Sequence, residues 1–169
     1  MQDAAVHQMF QGQREHGYYF KLTVGQFREA LQMDKPVVRI SAKQCKIKFE
    51  HYRPLHPGVI AAVRPHIEGR GDNECMFSYA SFANFVRKDR NKILLSRINR
   101  LFVIDDLRKF TGQYGNVISW EQSNRSYIST HGVLGVEWSH YRHPLPEHVY
   151  EVYIRNWKDV VLAPNGSQF

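Results

Sequence analysis

The stretch VVRISAKQCKIKFEHY, residues 37–52, decides the fold. Its two ends, residues 37–41 and 46–52, are β-branched or alternate apolar with polar side chains, which is the pattern of a β-strand. Residues 42–45 separate these runs and predict the turn of a short hairpin, with Lys43 near its tip. The sequence therefore predicts a small antiparallel sheet near residues 37–52.

Helical periodicity dominates the rest of the chain, so we expect an α+β fold that is mainly α-helical. Thr23 is a suitable N-cap for a helix with apolar residues at a 3.6-residue period. Pro57 can open a helix that Pro65 interrupts. A Gly-, Asp- and Asn-rich surface loop follows at residues 68–74. Further helices are predicted at residues 81–86, 92–98, 105–114 (with an N-cap at Asp105 or Asp106 and an end at Gly115), 119–130 and from Pro146 onwards.

The bulk properties predict one soluble cytoplasmic domain spanning residues 1–169. The chain has 43% hydrophobic and 23% charged residues, and no apolar run approaches the roughly 18 residues that a membrane span needs. Its first residues lack the pattern of a signal peptide. Cys45 and Cys75 are too few for a disulfide framework and lack zinc-site spacing. No cofactor is expected.

A formal charge of +7 makes nucleic acid the leading class of partner. Lys and Arg side chains that neutralise phosphates release counterions, which favours binding to a polyanion. Many basic proteins are only kept soluble by their charge, so this observation alone leaves the two interpretations at about even odds.

Five short segments occur in an order that carries more information than the charge does. The first is GQR, ending at Arg14, with LT following at residues 22–23. The second is VVRISAK, ending at Lys43, with YRPL following at residues 52–55. The third is DLRKF around Arg108, and THG around His131 lies 23 residues further on. Tyr141 follows His131 by ten residues.

These segments resemble the catalytic boxes of the tyrosine recombinases, or integrases, and the run HGVLGVEWSHYRHPLPEHVYEVY looks most like archaeal and archaeal-virus integrases. The resemblance implies the tyrosine-recombinase catalytic fold and metal-free DNA cleavage and rejoining. Tyr141 would be the nucleophile that forms a 3′-phosphotyrosyl link. Arg14 and Arg108 would hold the phosphate, because guanidinium groups bind its oxygens bidentately.

Lys43 would protonate the departing 5′ oxygen, and His131 would contact a non-bridging oxygen or assist proton transfer at Tyr141. The expected partners are double-stranded DNA, further copies of the chain in a tetrameric synapse, and a separate core-binding domain, which residues 1–169 lack. We expect the protein to be associated with the nucleoid. The side chains expected to bind DNA are Arg14, Lys43, Lys46, Arg108, Lys109 and Arg125.

One departure from the family pattern keeps a second function open. Asp105 stands where the family usually has His or Lys, and a carboxylate there repels a phosphate. The alternative is therefore a DNA-binding remnant of an integrase with weak or no catalysis. A third hypothesis, a basic structural or RNA-binding module, leaves the ordered segments to chance.

Several other side chains have competing interpretations. Tyr150 and Tyr153 are rival nucleophiles, but they lie in an amphipathic C-terminal helix that predicts packing, either on its own chain or on a neighbouring protomer. His140, His143 and His148 lie close together without the ligand spacing of a metal site. Aromatic side chains at helical spacing predict core packing over base stacking, and these are Phe77, Tyr79, Phe82 and Phe85.

Overall fold

A computed structural model of the chain describes residues 18–44, 50–84, 109, 113–129 and 145–158. These residues form an α+β arrangement of helices and one two-stranded antiparallel sheet, as predicted. Helix α1 packs on strand β1, and the last helix, α5, packs on strand β2 and reaches β1. The elements are α1 (Val24–Leu31), β1 (Val37–Ile40), β2 (His51–Pro54), α2 (Pro57–Val63), α3 (Tyr79–Asn84), α4 (Gln122–Ser129) and α5 (Pro146–Trp157).

Helix α1 begins where the Thr23 N-cap predicts it. The Thr23 hydroxyl accepts the backbone N–H of Gln26, and the Gln26 side chain accepts the backbone N–H of Thr23. This reciprocal pair is a capping box. Val24, Phe27 and Ala30 are fully buried, so the apolar stripe of α1 faces the core as its period predicts.

The hairpin has the predicted direction but a different second strand. Val37 pairs with Pro54 and Ile40 with His51. The predicted second strand, residues 46–52, is therefore wrong in its bounds, because β2 occupies His51–Pro54. Residues 45–49 lie outside the described part of the chain. Burial explains the shift, because β2 inserts into the core. Strand propensity alone does not take this burial into account.

The segment after β2 follows its proline signals. His56 caps α2 by accepting the backbone N–H of Gly58 on its side chain, and Pro57 occupies the first turn, where its missing N–H costs nothing. Pro65 lies in a 3-10 turn, Arg64–His66, which ends the helix as predicted. The predicted loop at residues 68–74 is confirmed as an irregular, largely exposed segment.

The prediction that Gly115 ends a helix is wrong. Residues 113–117 are helical, and the chain then turns at Ser119, which has φ of 51°. The N–H of Ser119 donates to the carbonyl of Asn116, and the N–H of Trp120 donates to that of Gly115. This pair of bonds is a Schellman motif with serine in the left-handed position that glycine usually takes. Because Ser119 turns the chain, α4 begins at Gln122 and not at residue 119.

Helix α5 begins at Pro146 as predicted and buries Val149, Tyr153 and Trp157. Its apolar face packs on the sheet of its own chain, so the neighbouring-protomer alternative does not apply to that face. An aromatic cluster forms where α5 meets residues 113–120. Ring centroids within it lie 4.8 to 6.1 Å apart, and its members are Tyr114, Trp120, Tyr153 and Trp157.

The middle of the chain agrees with prediction only in part. Helix α3 spans Tyr79–Asn84, two residues earlier than the predicted start at residue 81. Phe77 is buried against Phe27, with ring centroids 5.6 Å apart, which confirms core packing for this side chain. The predicted helix at residues 92–98 and the start of the one at 105–114 lie outside the described residues. Within the described ranges, no helix is long and apolar enough to cross a membrane.

Candidate functional site

One predicted catalytic side chain, Lys43, lies within the described residues. Arg14, Arg108, His131 and Tyr141 lie outside them. Among the predicted DNA-binding residues, Lys109 is exposed, Arg125 lies in helix α4, and Lys46 lies outside the described residues. The candidate site is therefore the turn that carries Lys43 and the elements that hold this turn.

Lys43 is an exposed cation directly after strand β1. It occupies the turn at residues 42–44 and lies three residues beyond the buried Ile40. The N–H of Gln44 donates to the carbonyl of Ser41 at 3.0 Å and closes this turn. Lys43 therefore lies on the hairpin connection, as predicted.

A group of polar side chains, here called the glutamine clamp, ties the turn to helix α1. It consists of Thr23, Gln26, Ser41 and Gln44. The carbonyl oxygen of the Gln44 side chain accepts the N–H of Ser41 at 3.2 Å and its hydroxyl at 3.0 Å. The amide groups of Gln26 and Gln44 bond to each other in both directions, at 3.0 and 3.1 Å. The clamp thus joins residues that are 18 apart in sequence.

Gln26 connects the capping of the helix with the position of the strand. Its side-chain oxygen accepts the N–H of Thr23 at 2.9 Å, and its amide nitrogen donates to the carbonyl of Arg39 at 2.6 Å. Gln44 adds a bond from its amide nitrogen to the carbonyl of Lys21 at 3.3 Å. The backbone before α1, the N-terminus of α1 and the end of β1 are all held by these two side chains.

The N-terminus of α1 is not available to bind a phosphate. Helix N-termini attract anions through their unsatisfied N–H groups. Here the N–H of Val24 donates to the carbonyl of Glu74 at 2.9 Å, and that of Gly25 to the carbonyl of Asp72 at 3.0 Å. The N–H of Gln26 is bound by Thr23. These three N–H groups are therefore already occupied and do not contribute an anion site.

The charges near the turn favour an anionic ligand. Arg39 forms an exposed ion pair with Glu50 at 2.8 Å, and this contact holds the pKa of the Glu50 carboxyl below its ordinary value. Lys21 and Lys43 are exposed, and neither has an ion pair with a carboxylate among the residues that the structure describes. The bond from the Gln44 side chain to the carbonyl of Lys21 brings the backbone at Lys21 next to the turn that carries Lys43.

Strand β2 and the N-cap of α2 carry a second group of polar side chains that is fully enclosed. His51, Arg53 and His56 have 1%, 0% and 3% of their surfaces exposed. The Tyr127 hydroxyl accepts the backbone N–H of Tyr52 at 2.9 Å. Burial raises the pKa of Tyr127, while the nearby Arg53 cation and this hydrogen bond act against the increase. Arg53 is closed to DNA and serves the core.

Burial also separates the tyrosines that compete for the role of nucleophile. Tyr153 is fully buried and stacks on Trp157 with an interplanar angle of 7°. Burial raises its pKa well above the ordinary value, which is unfavourable for attack as a phenolate. The prediction that Tyr153 packs in the core is confirmed. Tyr150 is half-buried on the same helix.

His56 connects the end of β2 with the end of α5. Its Nδ1 accepts the N–H of Gly58 at 3.0 Å, and its Nε2 lies 2.9 Å from the carbonyl oxygen of Trp157. Nδ1 must be unprotonated to accept, so Nε2 carries the proton and donates it, which defines a neutral imidazole. Burial lowers the pKa of His56, and the bond to Trp157 opposes this only in part.

A metal centre has little support within the described ranges. No group of three or more His, Cys, Asp or Glu side chains comes together there. His148 is exposed on helix α5, whereas His140 and His143 lie outside these ranges. Cys75 is a free, exposed thiol.

The sequence contained one signal for the clamp. A glutamine three residues after a Thr N-cap is the pattern of a capping box, and it identifies Gln26. Gln44 follows Ser41 at the same spacing and bonds to it, but its bonds to Gln26 and Lys21 have no local signal, because those partners are distant in sequence.

Comparison of the chain with protein-family models, with curated proteins and with solved structures finds no match. The resemblance to tyrosine recombinases therefore rests on the order of the five sequence segments.

Proposed function

We propose that this chain is the catalytic domain of a tyrosine recombinase, with that family's catalytic fold, and that it cuts and rejoins double-stranded DNA. The observation that carries the proposal is the position of Lys43, an exposed ammonium group on a hairpin turn that hydrogen bonds fix to helix α1. A general acid needs both access to its substrate and a defined position. The surroundings of Lys43 meet both requirements.

The proposed reaction exchanges one phosphate ester for another. The Tyr141 oxygen attacks phosphorus and forms a new O–P bond, while the bond from phosphorus to the 5′ oxygen breaks. The electron pair of that bond stays on the 5′ oxygen, which takes a proton from Nζ of Lys43. Arg14 and Arg108 stabilise the charge that develops on the non-bridging oxygens, and His131 assists removal of the tyrosine proton.

The reverse reaction explains why a covalent intermediate is useful. A 5′ hydroxyl from another strand attacks the phosphotyrosyl bond, Lys43 accepts its proton, and Tyr141 is released. The energy of the phosphodiester is retained in the intermediate, so no nucleotide cofactor is needed. We further propose that several copies assemble on the DNA, since two duplexes must be cut and joined together.

The test is capture of the intermediate. The full chain is incubated with a pool of 5′-labelled duplexes of randomised sequence, each nicked so that the short 5′-hydroxyl fragment diffuses away after cleavage. We expect a labelled protein band on a denaturing gel, unaffected by excess chelator. Tyr141→Phe should abolish the band, and the matched control Tyr150→Phe should retain it. A band that persists in Tyr141→Phe contradicts the assignment of the nucleophile.

A second candidate, a DNA-binding remnant, is favoured by Asp105. Its carboxylate precedes Arg108 by three residues and opposes binding of a phosphate there. This candidate predicts salt-dependent DNA binding by the wild-type chain without a covalent band. If Asp105→His then creates the band, the carboxylate is the cause of the inactivity.

A further inference from the structure

We propose that Gln44, supported by Gln26, is a positioning residue that fixes the general acid Lys43 for protonation of the departing 5′ oxygen. This inference rests on the proposed function, because it takes Lys43 as the general acid. It adds two residues that none of the five sequence segments assigns to the site.

Gln44 makes hydrogen bonds through both ends of its side-chain amide. An amide group has two donor hydrogens and an oxygen with two lone pairs. The oxygen of Gln44 accepts from the N–H and the hydroxyl of Ser41 and from the amide of Gln26, and its nitrogen donates to the carbonyl of Lys21 and to Gln26. Water can satisfy the polar groups of a turn near the surface, so closing the hairpin does not by itself require this set of bonds.

Gln44 also makes the hydrogen bonds that hold Ser41 beyond the end of the sheet. The described ladder of the sheet ends at the pair Ile40 and His51. Beyond it, the hydrogen bonds that Ser41 makes within the described residues all come from Gln44, through its side chain and its N–H. The position of the backbone at Lys43 relative to α1 is therefore set by the clamp.

Lys43 depends on its backbone for a defined position. Its side chain is a flexible stem of four carbons that ends in a single charge. The shape of the side chain therefore does little to fix the position of Nζ. A displacement of about 1 Å at a reacting group can cost roughly 100-fold in rate. A backbone fixed on both sides of Lys43, at Ser41 and Gln44, reduces the volume that Nζ can explore.

The test separates positioning of the acid from general support of the fold. A DNA sequence that wild type cleaves is prepared in two forms, one with the normal 5′ oxygen and one with sulfur in its place. A thiol has a pKa of about 8.5, so sulfur departs as a thiolate without a proton. The P–S bond breaks with its electron pair on sulfur, and the general acid is no longer required.

On the oxygen substrate, we expect Lys43→Ala to slow formation of the covalent complex by about 100-fold or more. Gln44→Ala and Gln26→Ala should slow it by about tenfold, the effect of losing a few hydrogen bonds. On the sulfur substrate, all three variants should return to within about twofold of wild type, because the lost step is bypassed. The matched control is Gln32→Ala, an exposed glutamine at the other end of α1.

Ser41→Ala provides a milder variant in case Gln44→Ala does not fold, since it removes only the bond from the Ser41 hydroxyl to Gln44. It should be slower than wild type on oxygen and equal to it on sulfur. The inference is overturned if the clamp variants lose as much on sulfur as on oxygen, or if Lys43→Ala is impaired while they are not. In the second case the proposed function still stands. A wild-type chain that forms no covalent complex with any duplex overturns both.

Discussion

The turn after strand β1 and the strands themselves are held by different kinds of interaction. At the turn, the glutamine clamp is polar and lies at the surface, with Gln44 half-buried beside the exposed Lys43. Strand β1 is buried at three of its four positions, and strand β2 packs on helix α5, in which Tyr153 and Trp157 are fully buried. The hairpin therefore has its turn fixed by hydrogen bonds near solvent and its strands by burial of large side chains.

This difference separates the residues that stabilise the fold from those that position Lys43. A hydrogen bond exposed to water contributes about 1 kcal/mol to the free energy of unfolding, whereas a buried aromatic side chain contributes several times more. We therefore expect the aromatic cluster to determine whether the chain folds. The clamp contributes less to folding and mainly determines where Lys43 lies.

The largest expected effect is that of Trp157→Ala. This side chain contacts Tyr114, Trp120 and Tyr153, and removing a fully buried large aromatic costs about 3–5 kcal/mol. Denaturant unfolding measures the loss, and Trp157→Phe should retain part of the stability. Gln44→Ala, measured in parallel, should cost about 1 kcal/mol. Equal losses for the two alanine variants would contradict the division between the turn and the buried core.

The second expected effect is a pH dependence of stability caused by the buried His56, which bonds to the carbonyl of Trp157. The pKa of His56 is lowered in the folded protein from its ordinary value of 6.5, so below pH 6.5 the unfolded chain binds the additional proton more readily. His56 thus leaves the stability unchanged above pH 6.5 and reduces it as the pH falls towards the lowered pKa. The slope is at most about 1.4 kcal/mol per pH unit.

Unfolding curves for wild type and His56→Gln between pH 5 and pH 8 measure this contribution. The wild-type free energy of unfolding should fall more steeply below pH 6.5 than that of the variant. Parallel curves would show that the titration of His56 is not coupled to folding, and hence that its imidazole is not enclosed as the structure has it.

Local patterns in the sequence were sufficient for parts of both regions. The Thr23 capping box and Pro57 fix helix starts within a few residues of each signal, and such signals can be interpreted without tertiary contacts. The placement of Lys43 on the hairpin connection follows in the same way. All five catalytic assignments stay predictions, and four of them lie outside the described residues.

The sequence did not predict which polar residues are buried or paired by tertiary contacts. Arg53 is fully enclosed, although arginine is rarely buried, and only the packing of α5 and Tyr127 on β2 creates its surroundings. The partnership of Gln26 with Gln44 likewise depends on how α1 meets β1. The end of the helix at residues 113–117 was misplaced because glycine is the usual left-handed residue, whereas Ser119 takes that conformation here.

The smallest expected effect comes from Ser119, which turns the chain so that Trp120 enters the aromatic cluster. A non-glycine residue at positive φ costs about 1–2 kcal/mol, and glycine loses roughly 0.4–1 kcal/mol more backbone entropy on folding. Ser119→Gly should therefore raise the free energy of unfolding by about 0.5–1 kcal/mol. Ser119→Ala keeps the Cβ atom and should give no gain. If the two variants change the free energy of unfolding equally, loss of the hydroxyl is the cause. The positive φ of residue 119, which brings Trp120 into the cluster, would then store no strain.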